Sequence, residues 1–73
     1  YNGGECCIAG SRLLLHEDIY DEFVEQLVER AKKIKVGHPL DWDSRVGPMV
    51  TRKHQDTVLS YIEWGKQNGM KLL

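Results

Sequence analysis

The sequence is poor in the features that usually hold a small protein together or tie it to a membrane or a polyanion. Among its 73 residues are two cysteines, two prolines and one phenylalanine. No apolar run approaches the roughly 20 residues that span a bilayer, and no stretch has a signal-peptide pattern. The two cysteines are neighbours, Cys6 and Cys7, with Cα atoms only about 3.8 Å apart, too close for a relaxed disulfide. A disulfide framework is thereby excluded, and two thiols with no other cysteine point to a reducing compartment, the cytoplasm by default. The three histidines, His16, His38 and His54, are scattered and make no ligand spacing with the cysteines, so no metal is expected. Ten basic and eleven acidic residues are interleaved to a net charge of −1, leaving no broad face for nucleic acid and no anionic tail. Lys32-Lys33-Ile34-Lys35, the densest basic cluster, suits the C-terminal turn of a helix, where cations complement the macrodipole.

Size sets a further bound. A chain of this length folding alone buries only about 60% of its unfolded surface, and small domains usually compensate with disulfides, a metal or a partner. None of these devices is visible. The sequence opens at Tyr1 in mid-motif without an initiator Met, so we expect a piece of a longer protein.

Hydrophobic patterning predicts a strand, two helices and a second strand. Arg12-Leu13-Leu14-Leu15-His16 is a short apolar run and reads as a buried strand over about 12–16. From about 18 to 35, Ile19, Tyr20, Phe23, Val24, Leu27, Val28, Ala31 and Ile34 form one apolar stripe at helical spacing. Asp18 is the expected N-cap, Asp21 and Glu22 favour the helix start, and Gly37 lies past its basic end. Residues 37–44 carry turn chemistry, and 46–50 form a short extended segment that Pro48 keeps out of a central strand. A second helix is predicted over about 51–68, with Val58, Leu59, Tyr61 and Ile62 on its buried side and Asn68-Gly69 closing it. A strand over about 70–73 follows. The fold class is α/β, with parallel strands joined by helical crossovers. Such a sheet needs cover on both faces, more than these elements supply.

The segment most suited to chemistry is Asn2-Gly3-Gly4-Glu5-Cys6-Cys7-Ile8-Ala9-Gly10-Ser11. Cysteine attacks as the thiolate, which is favoured where backbone N–H groups point at sulfur, and a glycine-rich approach offers that arrangement. An isolated cysteine is more often an inert small hydrophobe, and local chemistry does not choose between the two thiols.

Gly4-Glu5-Cys6-Cys7-Ile8-Ala9 resembles the active-site cysteine pattern of the aldehyde dehydrogenase superfamily: Gly, Gln or Glu, any residue, the nucleophilic Cys, a small or aliphatic residue, a small residue. The resemblance continues through Ser11-Arg12, Ile19-Tyr20-Asp21-Glu22-Phe23, Val36-Gly37, Pro39, Gly47-Pro48 and the second helix to Lys71-Leu72-Leu73. Glu5 stands where many members have Gln, and Trp42 stands in a loop where Pro is frequent. The resemblance implies that Cys7 is the nucleophile, with Cys6 beside it. It also implies oxidation of a small-molecule aldehyde to a carboxylic acid with NAD or NADP, through a thiohemiacetal and a thioester. Residues 1–73 would be part of the catalytic domain, with the nucleotide-binding domain, the general-base Glu and the oxyanion-binding Asn elsewhere in the parent. The fragment alone is expected to be inactive, and the parent to be a homo-oligomer, dimer or tetramer.

Other residues suit plainer roles. Glu5 is two positions from the thiol, but neighbouring backbone rarely aims such a side chain at an attacking water. His16, a formal partner for Cys7 in a Cys–His hydrolase, is expected to be a surface or capping residue. His38 reads as solvated. His54 falls in the first turn of the second helix, where the resemblance places polar residues near the cofactor's ribose and phosphate side. Tyr61 is expected in the core, Trp64 partly so, and Trp42 exposed. The alternative reading is a non-catalytic α/β interaction module with two buried, inert cysteines.

Overall fold

The computed structural model describes residues 1–73. Two helices dominate it, α1 over Tyr20–Lys32 and α2 over Arg52–Gln67, with 3-10 turns over Asn2–Gly4 and Glu17–Ile19. The two helices do not pack on one another; α1 packs on the 3-10 turn that leads into it, and Lys71 and Leu73 line a groove along its side. The Cα radius of gyration is 14.6 Å, against about 11 Å for a compact chain of this length. Gly65 is the one buried residue, and no side chain forms a hydrophobic core.

Each helix forms for local reasons. The stripe expected on α1 is present and largely uncovered: Tyr20, Phe23 and Leu27 are exposed, while Val24 and Val28 are half-buried. Asp18 does not cap α1. His16 takes the capping position one turn earlier, its Nδ1 accepting from the Asp18 N–H at 3.1 Å and starting the 3-10 turn from which α1 continues. At the other end, Lys33 and Ile34 N–H groups donate to Arg30 and Ala31, a tightened last turn that stops the helix short of residue 35.

α2 is capped at both ends by its own sequence. Thr51 Oγ1 accepts from the His54 N–H at 3.1 Å. At the C-terminus, Gly69 has φ +85°, its N–H donates to Lys66, and the Met70 N–H donates to Gly65 at 3.0 Å. That pair of bonds is a Schellman motif, and Met70 completes it by laying its side chain over Gly65. Tyr61, expected in the core, is exposed because no element lies against its face of α2.

Neither 12–16 nor 70–73 is a strand here, which corrects the α/β expectation for this chain. A strand exists by pairing, and neither segment has a partner within the 73 residues. The one β interaction is an isolated parallel bridge, Val36 to Val46. It closes the connecting loop: the Lys35 carbonyl accepts from Arg45 and Val46, and the Gly37 N–H donates to Val46 at 3.0 Å. Gly37 is required there, since a Cβ would lie 2.5 Å from Ser44 Oγ. Trp42 projects from this loop fully exposed, as expected.

Candidate functional site

The cysteine segment is built from two consecutive tight turns. Asn2, Gly3 and Gly4 adopt positive φ of 50°, 62° and 82°, a run that the glycines permit. Gly4 and Glu5 N–H groups donate to Tyr1 and Asn2, closing the first turn. The second is a β-turn from Cys6 to Ala9, closed by Ala9 N–H to Cys6 C=O at 2.9 Å, with Cys7 and Ile8 at its centre.

This geometry distinguishes the two cysteines, which local sequence chemistry left equivalent. Cys6 closes the turn and is half-buried, whereas Cys7 sits at its tip and is exposed. The Cys7 N–H donates to no acceptor in the protein, because the central amides of a β-turn stand outside its closing bond. A free amide and an exposed sulfur on one residue can serve attack on a carbonyl and stabilise the oxygen that becomes negative.

The structure brings together one pair that sequence reading did not. His54 Nε2 lies 3.3 Å from Glu5 Oε1, joining the cysteine segment to the first turn of α2. His54 is half-buried there. No periodicity or motif links residues so far apart; only the fold could reveal the contact. His16 and Cys7 are not hydrogen-bonded, and His16 Nδ1 is committed to the Asp18 N–H. Asp18 Oδ2 approaches the same nitrogen at 3.6 Å, but a nitrogen accepting the cap has no proton to donate to a carboxylate. His38 is exposed and accepts locally from the Leu40 N–H at 3.2 Å. No three His, Cys, Asp or Glu side chains cluster as metal ligands do. No helix is long and apolar enough to cross a membrane.

Comparison with known proteins places the chain in a family. The family model for the aldehyde dehydrogenase family matches residues 1–73, and the chain belongs to that family. It is 52% identical over 73 residues to human "Aldehyde dehydrogenase, mitochondrial", and 47% identical over 73 residues to bovine "Aldehyde dehydrogenase X, mitochondrial". The chain spans about 14% of the length of these relatives. Among solved structures, betaine aldehyde dehydrogenase of Staphylococcus aureus in complex with NAD+ superposes with a TM-score of 0.86 at 38% identity. That match covers 93% of this chain and 14% of the other. A point mutant of the same enzyme, solved with NAD+ and a BME-modified cysteine, matches equally well.

Proposed function

We propose that the protein containing this chain is an NAD(P)-dependent aldehyde dehydrogenase, oxidising an aldehyde to a carboxylic acid, with Cys7 as its nucleophile. Residues 1–73 are then part of its catalytic domain, and the segments at 12–16 and 70–73 become parallel strands once the parent supplies their neighbours. The observation that carries the reading is the exposed Cys7 with its free N–H, set at the tip of a turn in a chain that matches the family throughout.

The Cys7 thiolate attacks the aldehyde carbonyl carbon. A C–S bond forms, and the carbonyl π electrons move onto oxygen, giving a thiohemiacetal oxyanion to which the Cys7 N–H donates. Cys7 next carries the acyl group as a thioester. Water then attacks that carbonyl, the C–S bond breaks, and the acid leaves with the thiolate restored. The water is activated by a base from the rest of the parent.

The nucleotide-binding domain is proposed to lie in the rest of the parent, and the cofactor-binding residues are left unassigned. Bound there, NAD+ or NADP+ supplies the hydride acceptor that separates the thiohemiacetal from the thioester. The NAD+ complex of the S. aureus relative supports this choice of cofactor, and its BME-modified cysteine supports a reactive thiol in the family. Two free thiols suit a reducing compartment, with the cytoplasm proposed, although two relatives are named as mitochondrial. The parent is proposed to assemble as a dimer or tetramer.

Active-site titration tests the assignment. An alkylating reagent applied to the intact parent should modify Cys7 first and abolish NAD-dependent aldehyde oxidation in step. Full activity in a Cys7→Ala parent would remove the assignment.

A further inference from the structure

We propose that Glu5 and His54 form a positioning clasp that fastens the Cys7 turn to the first turn of α2, and that the reactivity of Cys7 depends on it. The inference rests on the assignment of Cys7 as the nucleophile. The cysteine segment is otherwise self-contained: its backbone hydrogen bonds, Gly4 to Tyr1, Glu5 to Asn2 and Ala9 to Cys6, all close on the segment itself. Apart from the Glu5–His54 approach, no hydrogen bond or ion pair ties residues 1–10 to either helix. Glu5 is well placed to act as the link. It is the residue between the 3-10 turn and the β-turn, so fixing its side chain fixes the start of the turn that presents Cys7.

The other half of the clasp stands on a rigid element. His54 is in the first turn of α2, and its N–H is held by Thr51 Oγ1 at 3.1 Å. Its Nε2 reaches Glu5 Oε1 at 3.3 Å. A helix is a firmer support than a loop for a residue that must be located closely, and the preceding run of positive-φ residues gives Cys7 little stiffness of its own. Arg52, Lys53 and Asp56, the other charged residues in this part of α2, make no ion pair, so Glu5 is the partner the geometry gives His54. Both side chains are close to half-exposed, at 43% for His54 and 57% for Glu5, which limits the effect to about twofold to fivefold.

The experiment uses the intact parent enzyme and two readouts: the rate of Cys7 alkylation by iodoacetamide without cofactor, and steady-state aldehyde oxidation. His54→Leu should slow both by about two- to fivefold. His54→Lys, which keeps a cationic nitrogen able to approach Glu5, should restore most of the loss; a merely space-filling role would not produce that rescue. In a Glu5→Ala background, His54→Leu should have no further effect. Glu5→Ala alone carries the test if His54→Leu does not fold, because Glu5 is exposed in a turn. Wild-type alkylation rates in both single variants, or effects that multiply independently, would overturn the clasp. A Cys7→Ala control separates the two failures. If it is inactive while the pair variants behave as wild type, only the clasp falls; if it is fully active, the nucleophile assignment falls and the clasp with it.

Discussion

Excised from its parent, the chain should not keep the structure described above. The relation between mass and accessible surface gives about 4,600 Å² for a compact folded chain of 8.4 kDa and about 12,200 Å² for the same chain unfolded. The observed surface is 7380 Å², so about 40% of the unfolded surface is buried where a compact domain of this size buries about 60%. The shortfall is about 2,800 Å², a little over half of it apolar. At about 25 cal/mol per Å², the missing apolar burial amounts to about 40 kcal/mol. A compact unfolded state lowers that figure, yet even half of it exceeds the 5–15 kcal/mol by which domains are stable. Helix propensity does not fill the gap, since isolated helices of 13 and 16 residues are marginal in water. Circular dichroism of the isolated 73-residue peptide at micromolar concentration should show far less helix than the 29 residues of α1 and α2 together would give. Urea should remove the signal gradually. A sharp cooperative transition in a peptide shown by sedimentation to be monomeric, with a slope near 1 kcal/mol/M, would refute the reasoning.

Two further predictions concern backbone positions and are read by thermal or denaturant unfolding of the intact parent. Gly69→Ala places a Cβ at φ +85° in the C-cap of α2 and should cost about 1–2 kcal/mol, whereas Gly69→Asn should cost less; equal effects of the two would show that the left-handed conformation is not what the site demands. Gly37→Ala should cost about 1–3 kcal/mol through collision with Ser44 Oγ. Adding Ser44→Ala should recover much of that loss, because the neighbouring Ser44 Cβ stands at an ordinary 3.6 Å. A double variant no better than Gly37→Ala alone would exclude the collision.

What the sequence made legible was what is local. The start of α2 near Thr51 and its close at Asn68-Gly69 were legible because helix ends are decided within a few residues, and the structure adds hydrogen-bonded caps at both. The stripe on α1 was equally plain, since its spacing belongs to the helix whether or not anything covers it. Asp18 does not cap α1, which has no side-chain cap; two residues earlier His16, whose side chain suits a cap as well, takes the Asp18 N–H and starts the 3-10 turn instead. The strands failed for a different reason. Leu13, Leu14 and Leu15 have an apolar pattern, but Leu14 is almost fully exposed where a buried strand would have hidden it. Hydrogen-bond partners make a strand, and those for 12–16 and 70–73 are not in the chain. Tyr61 was misjudged on the same ground, because its helical position anticipates a neighbour that the 73 residues do not provide. Of the candidate site, local chemistry singled out the cysteines and their glycines as a candidate segment, while the proposal of Cys7 over Cys6 came from the family pattern. The Glu5–His54 contact was not readable at all.

The exposure of Cys7 and its weak attachment have a common origin. On the proposed assignment, Cys7 must meet a substrate, so its sulfur has to stand clear of neighbouring side chains, and its N–H must stay unspent to serve as an oxyanion donor. The β-turn from Cys6 to Ala9 meets both needs by placing Cys7 where the turn's own hydrogen bond does not reach. A residue left so free gains almost nothing from packing, and the positive-φ run from Asn2 to Gly4 ahead of it adds softness. Catalysis nevertheless needs the sulfur and the amide held in register, since misplacement by about 1 Å can cost 10²-fold. The constraint therefore has to come from residues that neither cover the sulfur nor use the amide. Within these 73 residues only Glu5 does so, reaching past the turn to a histidine on a capped helix. Under the proposed function, further restraint is expected from whatever covers the open faces of α1 and α2, which would make stability and reactivity of the cysteine segment properties of the whole protein.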